Sequence, residues 1–313
     1  MRAYLGIDIG GTNVKAALVS EDGALLSFDS QPWSGGPACD VVASADSLRA
    51  SLCGGRPDAE VIACGVGSAG LVDPVEGLVR VSPNLPEWRD VELRRMFQEA
   101  MGLPVRLEND ANAAAYGEYA AGAARGATNA VVLTLGTGIG GGIIIGGSLY
   151  RGRAFAGEVG HMTVDLDGPP CPCGNRGCLE RLASAGAIVR NVRTLLESGR
   201  ESVLEDGPGL TAETIGSAAA DGDAVAKEAL DAAGRALGAG LAILGLVLDP
   251  DVIVLGGGVA AAGEPLFGPA REEFASRAYI GGAELTPIVP AVLGNTAGVV
   301  GAALLSRDEL PAE

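Results

Sequence analysis

Residues 4–20, Tyr4-Leu5-Gly6-Ile7-Asp8-Ile9-Gly10-Gly11-Thr12-Asn13-Val14-Lys15-Ala16-Ala17-Leu18-Val19-Ser20, read as a strand, a glycine turn and a second strand. Alternation along the first strand sends Leu5, Ile7 and Ile9 to one face and Gly6, Asp8 and Gly10 to the other. One carboxylate is left on a face otherwise bare of side chains, so something must approach that backbone closely. Successive N–H groups of Gly10, Gly11, Thr12 and Asn13 can make an anion-binding nest, with the Thr12 hydroxyl beside it and Asp8 placed for a hydrated Mg2+. A plain hairpin turn accounts for the same residues.

The plan recurs. Residues 130–135 are apolar, Gly136-Thr137-Gly138-Ile139-Gly140-Gly141-Gly142 reads as a turn, and residues 143–145 return as a strand. The segment from Gly136 to Gly141 satisfies G-x-G-x-x-G, yet a dinucleotide-binding fold needs a helix after the third glycine. Here Gly142-Ile143-Ile144-Ile145-Gly146-Gly147 is β-branched and glycine-rich instead. A Walker loop is excluded, because Lys15 follows Val14 and Lys227 follows Ala226. Two glycine hairpins, one per half, suggest two domains that grip a polyphosphate across a cleft through backbone and metal.

A chain of 313 residues suffices for two domains at ~100–200 residues each. Its 49 glycines are roughly double the ~7% average share and show no collagen-like period. Twenty-two basic against 39 acidic residues leave a net charge of −17, which repels nucleic acid and anionic membrane surfaces. The uncharged run 126–150 is long enough to span a bilayer, but its eight glycines break it into turns. Asp8 interrupts the apolar core that a secretory signal needs, so the expected location is cytoplasmic. With the first strand open by residue 4, no DNA-binding helix-turn-helix is expected ahead of it.

Between the hairpins, residues 32–57 suit a helix, 61–66 an apolar strand, and 82–90 an irregular Pro-rich segment. Residues 105–108 read as a strand, and Asn109-Asp110 opens an Ala-rich helix to about residue 124. Later come a long helix from near Asp223 halted at Pro250, a strand at 252–255, a helix at 264–277 and a terminal one from about 296. The expected class is α/β.

Cys171, Cys173 and Cys178 crowd one Gly- and Pro-rich loop that begins ten residues after the sole histidine, His161. One nitrogen and three thiolates form a closed tetrahedral set, which points to structural zinc ahead of disulfides. With His161 engaged, no histidine remains for a serine or cysteine hydrolase, and general-base work falls to a carboxylate. Asp110, at a strand-to-helix junction, is as well placed to cap as to catalyse. The helix amides favour its ionised form, the form that accepts a proton.

The paired hairpins, with Gly256-Gly257-Gly258-Val259, resemble the sugar kinase, heat-shock ATPase and actin superfold, two α/β domains with an interdomain cleft. More narrowly, Asp8-Ile9-Gly10-Gly11-Thr12, Glu108-Asn109-Asp110-Ala111-Asn112, Gly136-Thr137-Gly138, Gly157-Glu158-Val159-Gly160-His161 and the C-x-C-G-x-x-G-C-x-E run from Cys171 to Glu180 are similar to the ROK family of sugar kinases and repressors. The similarity runs from residue 4 to about 305 and is nearest the family's ATP-dependent glucokinases. It implies a smaller N-terminal domain, 1–118, on which a last helix at about 296–308 folds back, and a larger domain, 119–313, bearing the zinc loop.

The implied activity is ATP-dependent phosphorylation of a hexose at the 6-hydroxyl, D-glucose first. N-acetylmannosamine, N-acetylglucosamine or fructose are alternatives, and a sugar-responsive non-catalytic regulator is a further one. By the same resemblance Asp110 is the catalytic base, and Asn84, Asn109, Asp110, Glu158, His161 and Glu180 contact the sugar. Asp8, Gly10, Gly11, Thr12, Asn13, Thr137 and Gly138 hold phosphates and Mg2+, while Gly257 and Gly258 contact adenosine. Zn2+ on His161, Cys171, Cys173 and Cys178 fixes the loop carrying Glu158 and Glu180. ATP, Mg2+ and structural Zn2+ are the implied cofactors, and a homodimer or homotetramer the implied assembly.

Overall fold

The opening hairpin forms as its alternation dictates: β1 (Arg2–Ile9) pairs antiparallel with β2 (Asn13–Ser20), Ile9 opposite Val14, and β2 with β3 (Leu25–Pro32). After helix α1 (Ala38–Gly55), β4 (Glu60–Ser68) runs parallel to β1 on its other side. A small sheet of β5 (Leu71–Asp73), β6 (Leu78–Ser82) and β7 (Leu85–Val91) follows. Helix α2 (Leu93–Met101) then leads to β8 (Val105–Asn109), parallel to β4, which completes the order β3-β2-β1-β4-β8. This computed structural model describes residues 1–82, 85–278 and 286–309.

Helix α3 (Asp110–Ala121) carries the chain into a second sheet that repeats the first. Its strands are β9 (Ala130–Leu135), β10 (Ile139–Ile145), β11 (Ser148–Leu149), β12 (Val252–Gly256) and β13 (Ile288–Pro290). They lie in the order β11-β10-β9-β12-β13, with the same parallel and antiparallel senses as their counterparts. One supersecondary plan is therefore used twice, as the two-domain actin-like fold requires.

Helices α4 (Leu179–Ala183), α5 (Ala185–Glu197), α6 (Ala212–Ala220), α7 (Ala224–Leu248) and α8 (Glu264–Arg277) back the second sheet. There Leu133 and Leu255 join Ile188, Leu237 and Phe267 in one core. Although α7 is long and apolar enough to cross a membrane, more than half of that stretch is buried inside the protein. Leu5, Ile7 and Ile9 pack outward against Val41, Leu48 and Phe97 of α1 and α2. The last helix, α9 (Ala297–Asp308), lies with α3 between the sheets, where Tyr4, Ala113, Val132, Val299 and Leu304 meet.

The bare face of β1 is bare for α9. A Cβ on Gly6 would strike the Val299 carbonyl, and one on Gly65 of β4 the Ala302 carbonyl. Residues 85–91 are strand rather than irregular; β7 lies at the edge of its sheet, where proline is tolerated in strands. The second glycine turn is also shorter than its sequence suggests, because Gly140, Gly141 and Gly142 lie inside β10. They are flat for packing: a Cβ on Gly140 would stand 2.7 Å from Ala111 Cβ of α3, and one on Gly141 2.6 Å from Val159. Helix α3 itself stops at Ala121, short of residue 124.

Candidate active site

Asn109 and Asp110 stand where β8 becomes α3, and they divide the two roles open at that junction. Asn109 is the cap: its Oδ1 accepts the Asn112 N–H at 3.1 Å, and its Nδ2 donates to Gly70 O at 3.2 Å and Asp110 Oδ1 at 3.0 Å. Asp110, relieved of capping, accepts the Ala111 N–H at 2.9 Å. Burial, reinforced by the charge of Asp8, raises its pKa to about 6, outweighing the downward pull of the neighbouring amides. The helix amides, which favour the ionised form, are thus the weaker influence. A carboxyl poised near neutrality suits a general base.

Three cavities meet at Asp110 and Ala111, which line all of them. The largest, about 810 Å3, is walled by Leu71, Val81, Asn109, Phe155, Glu158 and His161. A second, about 650 Å3, holds both glycine turns through Gly11, Thr12, Thr137 and Gly138, with Glu180 at its side. The third, about 170 Å3, is bordered by Asp8, Lys15, Gly257 and Asn295.

Each turn spends its first amide on closing itself. The Gly10 N–H donates to Asn13 O at 3.0 Å and the Gly136 N–H to Gly138 O at 2.9 Å. This withdraws Gly10 from the expected nest and leaves Gly11 and Thr12 exposed at its lip. Asn13 Nδ2 donates to Thr12 Oγ1 at 3.0 Å. Gly257 borders two of the cavities, whereas Gly258 lines none of the three. Thr134 stands two residues before Gly136 as Asp8 does before Gly10, and it faces the same space, a correspondence legible by overlaying the two strand–turn units.

Lys15 is the residue that sequence reasoning set aside. Its Nζ donates to Asp8 Oδ2 at 3.4 Å and to Asn295 Oδ1 at 2.7 Å, 280 positions along the chain. Burial raises the Asp8 pKa, and Lys15 opposes that rise. A carboxylate oxygen in this cleft is the donor type that Mg2+ takes.

The zinc-type residues converge. The ligand atoms of His161, Cys171, Cys173 and Cys178 all lie within 4.8 Å of one another. Cys171 Sγ is 3.8 Å from His161 Nδ1 and Cys173 Sγ is 3.7 Å from Cys178 Sγ. Zn–S bonds of about 2.3 Å put tetrahedral corners ~3.8 Å apart, so the set fits zinc. The loop is folded to hold them: Cys171 N–H donates to Asn175 O at 2.8 Å, and Leu179 N–H to Met162 O at 2.9 Å. With Nδ1 toward the thiols, Nε2 of His161 turns to Glu158 Oε2, 4.0 Å away.

Asn109, Asp110, Glu158 and His161 thus share the largest cavity, while Glu180 stands with the second glycine turn, its Oε2 accepting the Ile139 N–H at 3.1 Å. Asn84 lies outside the described residues. Behind the site, buried Glu108 pairs with Arg151 at 2.6 Å, and Arg151 with Glu309 at 2.7 Å. That network ties β8 to the loop that carries Phe155, and no local motif announces it.

A family model described as ROK family matches residues 4–309. A glucokinase of Streptomyces coelicolor is 39% identical over 99% of this chain and 99% of its own. A glucokinase of Thermotoga maritima is 38% identical over 98% of each chain. A solved ROK family glucokinase from Streptomyces griseus, in complex with glucose and AMPPNP, superposes with a TM-score of 0.83 at 40% identity, covering 98% of this chain and 100% of that one.

Proposed function

The chain belongs to the ROK family, and from that premise we propose how it works as an ATP-dependent hexose kinase that converts D-glucose to glucose 6-phosphate. The observation that carries the mechanism is the position of Asp110 at the junction of the three cavities. Glucose occupies the largest, its hydroxyls facing Asn109, Glu158 and His161. The triphosphate of ATP lies along the second, against exposed Gly11 and Thr12 and the turn at Thr137 and Gly138, and Gly257 borders the nucleotide's base side. Gly258, next to it in the same turn, shares the proposed contact with adenosine.

Asp110 takes the proton of the sugar 6-hydroxyl as that oxygen forms its bond to the γ-phosphorus and the bond to the β-bridging oxygen breaks. ADP leaves with the electron pair, and Asp110 returns the proton to solvent. Asp8 would hold Mg2+, which when bound offsets the charge gathering on the phosphates. His161, Cys171, Cys173 and Cys178 would hold a structural Zn2+ that fixes Glu158 and His161 at the sugar wall. For the implied homodimer or homotetramer, Ile243, Leu246 and Val247 form an exposed apolar face on α7.

The test is a coupled assay over glucose, fructose, N-acetylglucosamine and N-acetylmannosamine with ATP and Mg2+. Glucose should give the highest kcat/KM; a higher value for an N-acetyl sugar would overturn the substrate. Phosphate release without sugar should be far slower than turnover with it, since closure on the sugar excludes water.

A further inference from the structure

The chain passes between the two sheets twice, outward through α3 and residues 122–129, and back through residues 291–296 into α9. Both passages are tied to one side chain. Glu118, on α3 and only 1% exposed, accepts the Ala123 N–H on Oε2 at 2.8 Å, from the outward passage. From the return passage it accepts the Leu293 N–H on Oε1 at 2.8 Å and the Val292 N–H on Oε2 at 3.2 Å. Gly122 is required beside it, because a Cβ there would collide with the carboxylate. The turn so held presents Asn295 to Lys15, and Lys15 reaches Asp8.

We infer that Glu118 is a positioning residue for the kinase reaction, the pin about which the two sheets move when the cleft closes. It rests on the kinase reading. The same rigid helix begins at Asp110, about 12 Å away at 1.5 Å per residue, so a pin at Glu118 brings the base back to one place at every closure. Neither passage can drift from the other without leaving a buried carboxylate short of donors.

Glu118→Gln keeps the shape but not the acceptors: whichever way its amide turns, an NH2 group meets an N–H. Its kcat on glucose should fall at least tenfold with the KM for ATP within threefold, and exchange of the Ala123 or Leu293 amide should accelerate at least tenfold. Gly122→Ala, which displaces the carboxylate from the other side, should reproduce the kinetics. A folded Glu118→Gln with kcat within twofold of an active parent would overturn the pin. Should that variant not fold, amide exchange in the parent decides: protection of all three amides, unchanged by glucose, supports the pin, and free exchange of any one removes it. A parent silent on glucose condemns the kinase reading instead, and the exchange result still stands.

Discussion

Asp8 and Asp110 border the same small cavity, and the charge of the first helps hold the second near pKa 6. As a base, Asp110 works only when ionised. In the free enzyme kcat/KM for glucose should therefore fall about tenfold per unit as pH drops below about 6. Asp110→Asn should lose on the order of 100- to 10,000-fold in kcat while calorimetry still shows glucose binding. A near-normal rate would remove Asp110 as base.

The same shift has a sign in stability. A carboxyl raised from 3.8 to about 6 withholds at most about 3 kcal/mol from the native state once ionised. Its contribution is whole below pH 3.8, where both states are protonated, and is lost as pH rises through 6. Asp110→Asn should thus melt above the parent at pH 8 without Mg2+, with the difference gone by about pH 4. A lower melting temperature for the variant at pH 8 contradicts this.

Metal analysis of the purified protein should find about one zinc per chain. Cys173→Ser should lose it, melt lower and show a raised glucose KM, since His161, whose Nδ1 faces the thiols, lines the cavity proposed for the sugar. Zinc-free protein whose variant melts unchanged argues against the assignment.

Removing Arg151 strands Glu108, which is 2% exposed. Arg151→Met should cost about 3 kcal/mol in urea unfolding. Arg151→Lys should recover little of it, because an ammonium does not reproduce the fork that spans Glu108 and Glu309. An unfolding midpoint equal to the parent's would show that the pair contributes nothing.

Much of the site is legible in the chain because it is built from short motifs: both glycine turns, the Asn109-Asp110 junction and the His161–Cys178 cluster each lie within about twenty residues. What the sequence hides is tertiary. Lys15 meets Asn295 across 280 positions, Arg151 meets Glu108 across 43, and Glu118 meets Leu293 across 175. Gly140 to Gly142 read as a turn because local patterning knows only that glycine bends; their real cause is packing, with α3 lying on Gly140 and Gly142 and Val159 on Gly141. Residues 82–90 read as irregular because prolines argue against a strand, and β7 forms at a sheet edge, where that objection is weakest.

The Gly6–Val299 and Gly65–Ala302 contacts put a deadline on biosynthesis. The inner face of a sheet finished by residue 109 is covered only in part, by α3, until residues 297–308 have left the ribosome. Nascent chains arrested before residue 297 should be cut readily by protease within their first hundred residues, whereas released chains resist. The first sheet of this enzyme can settle only once a helix nearly two hundred residues further along has been made.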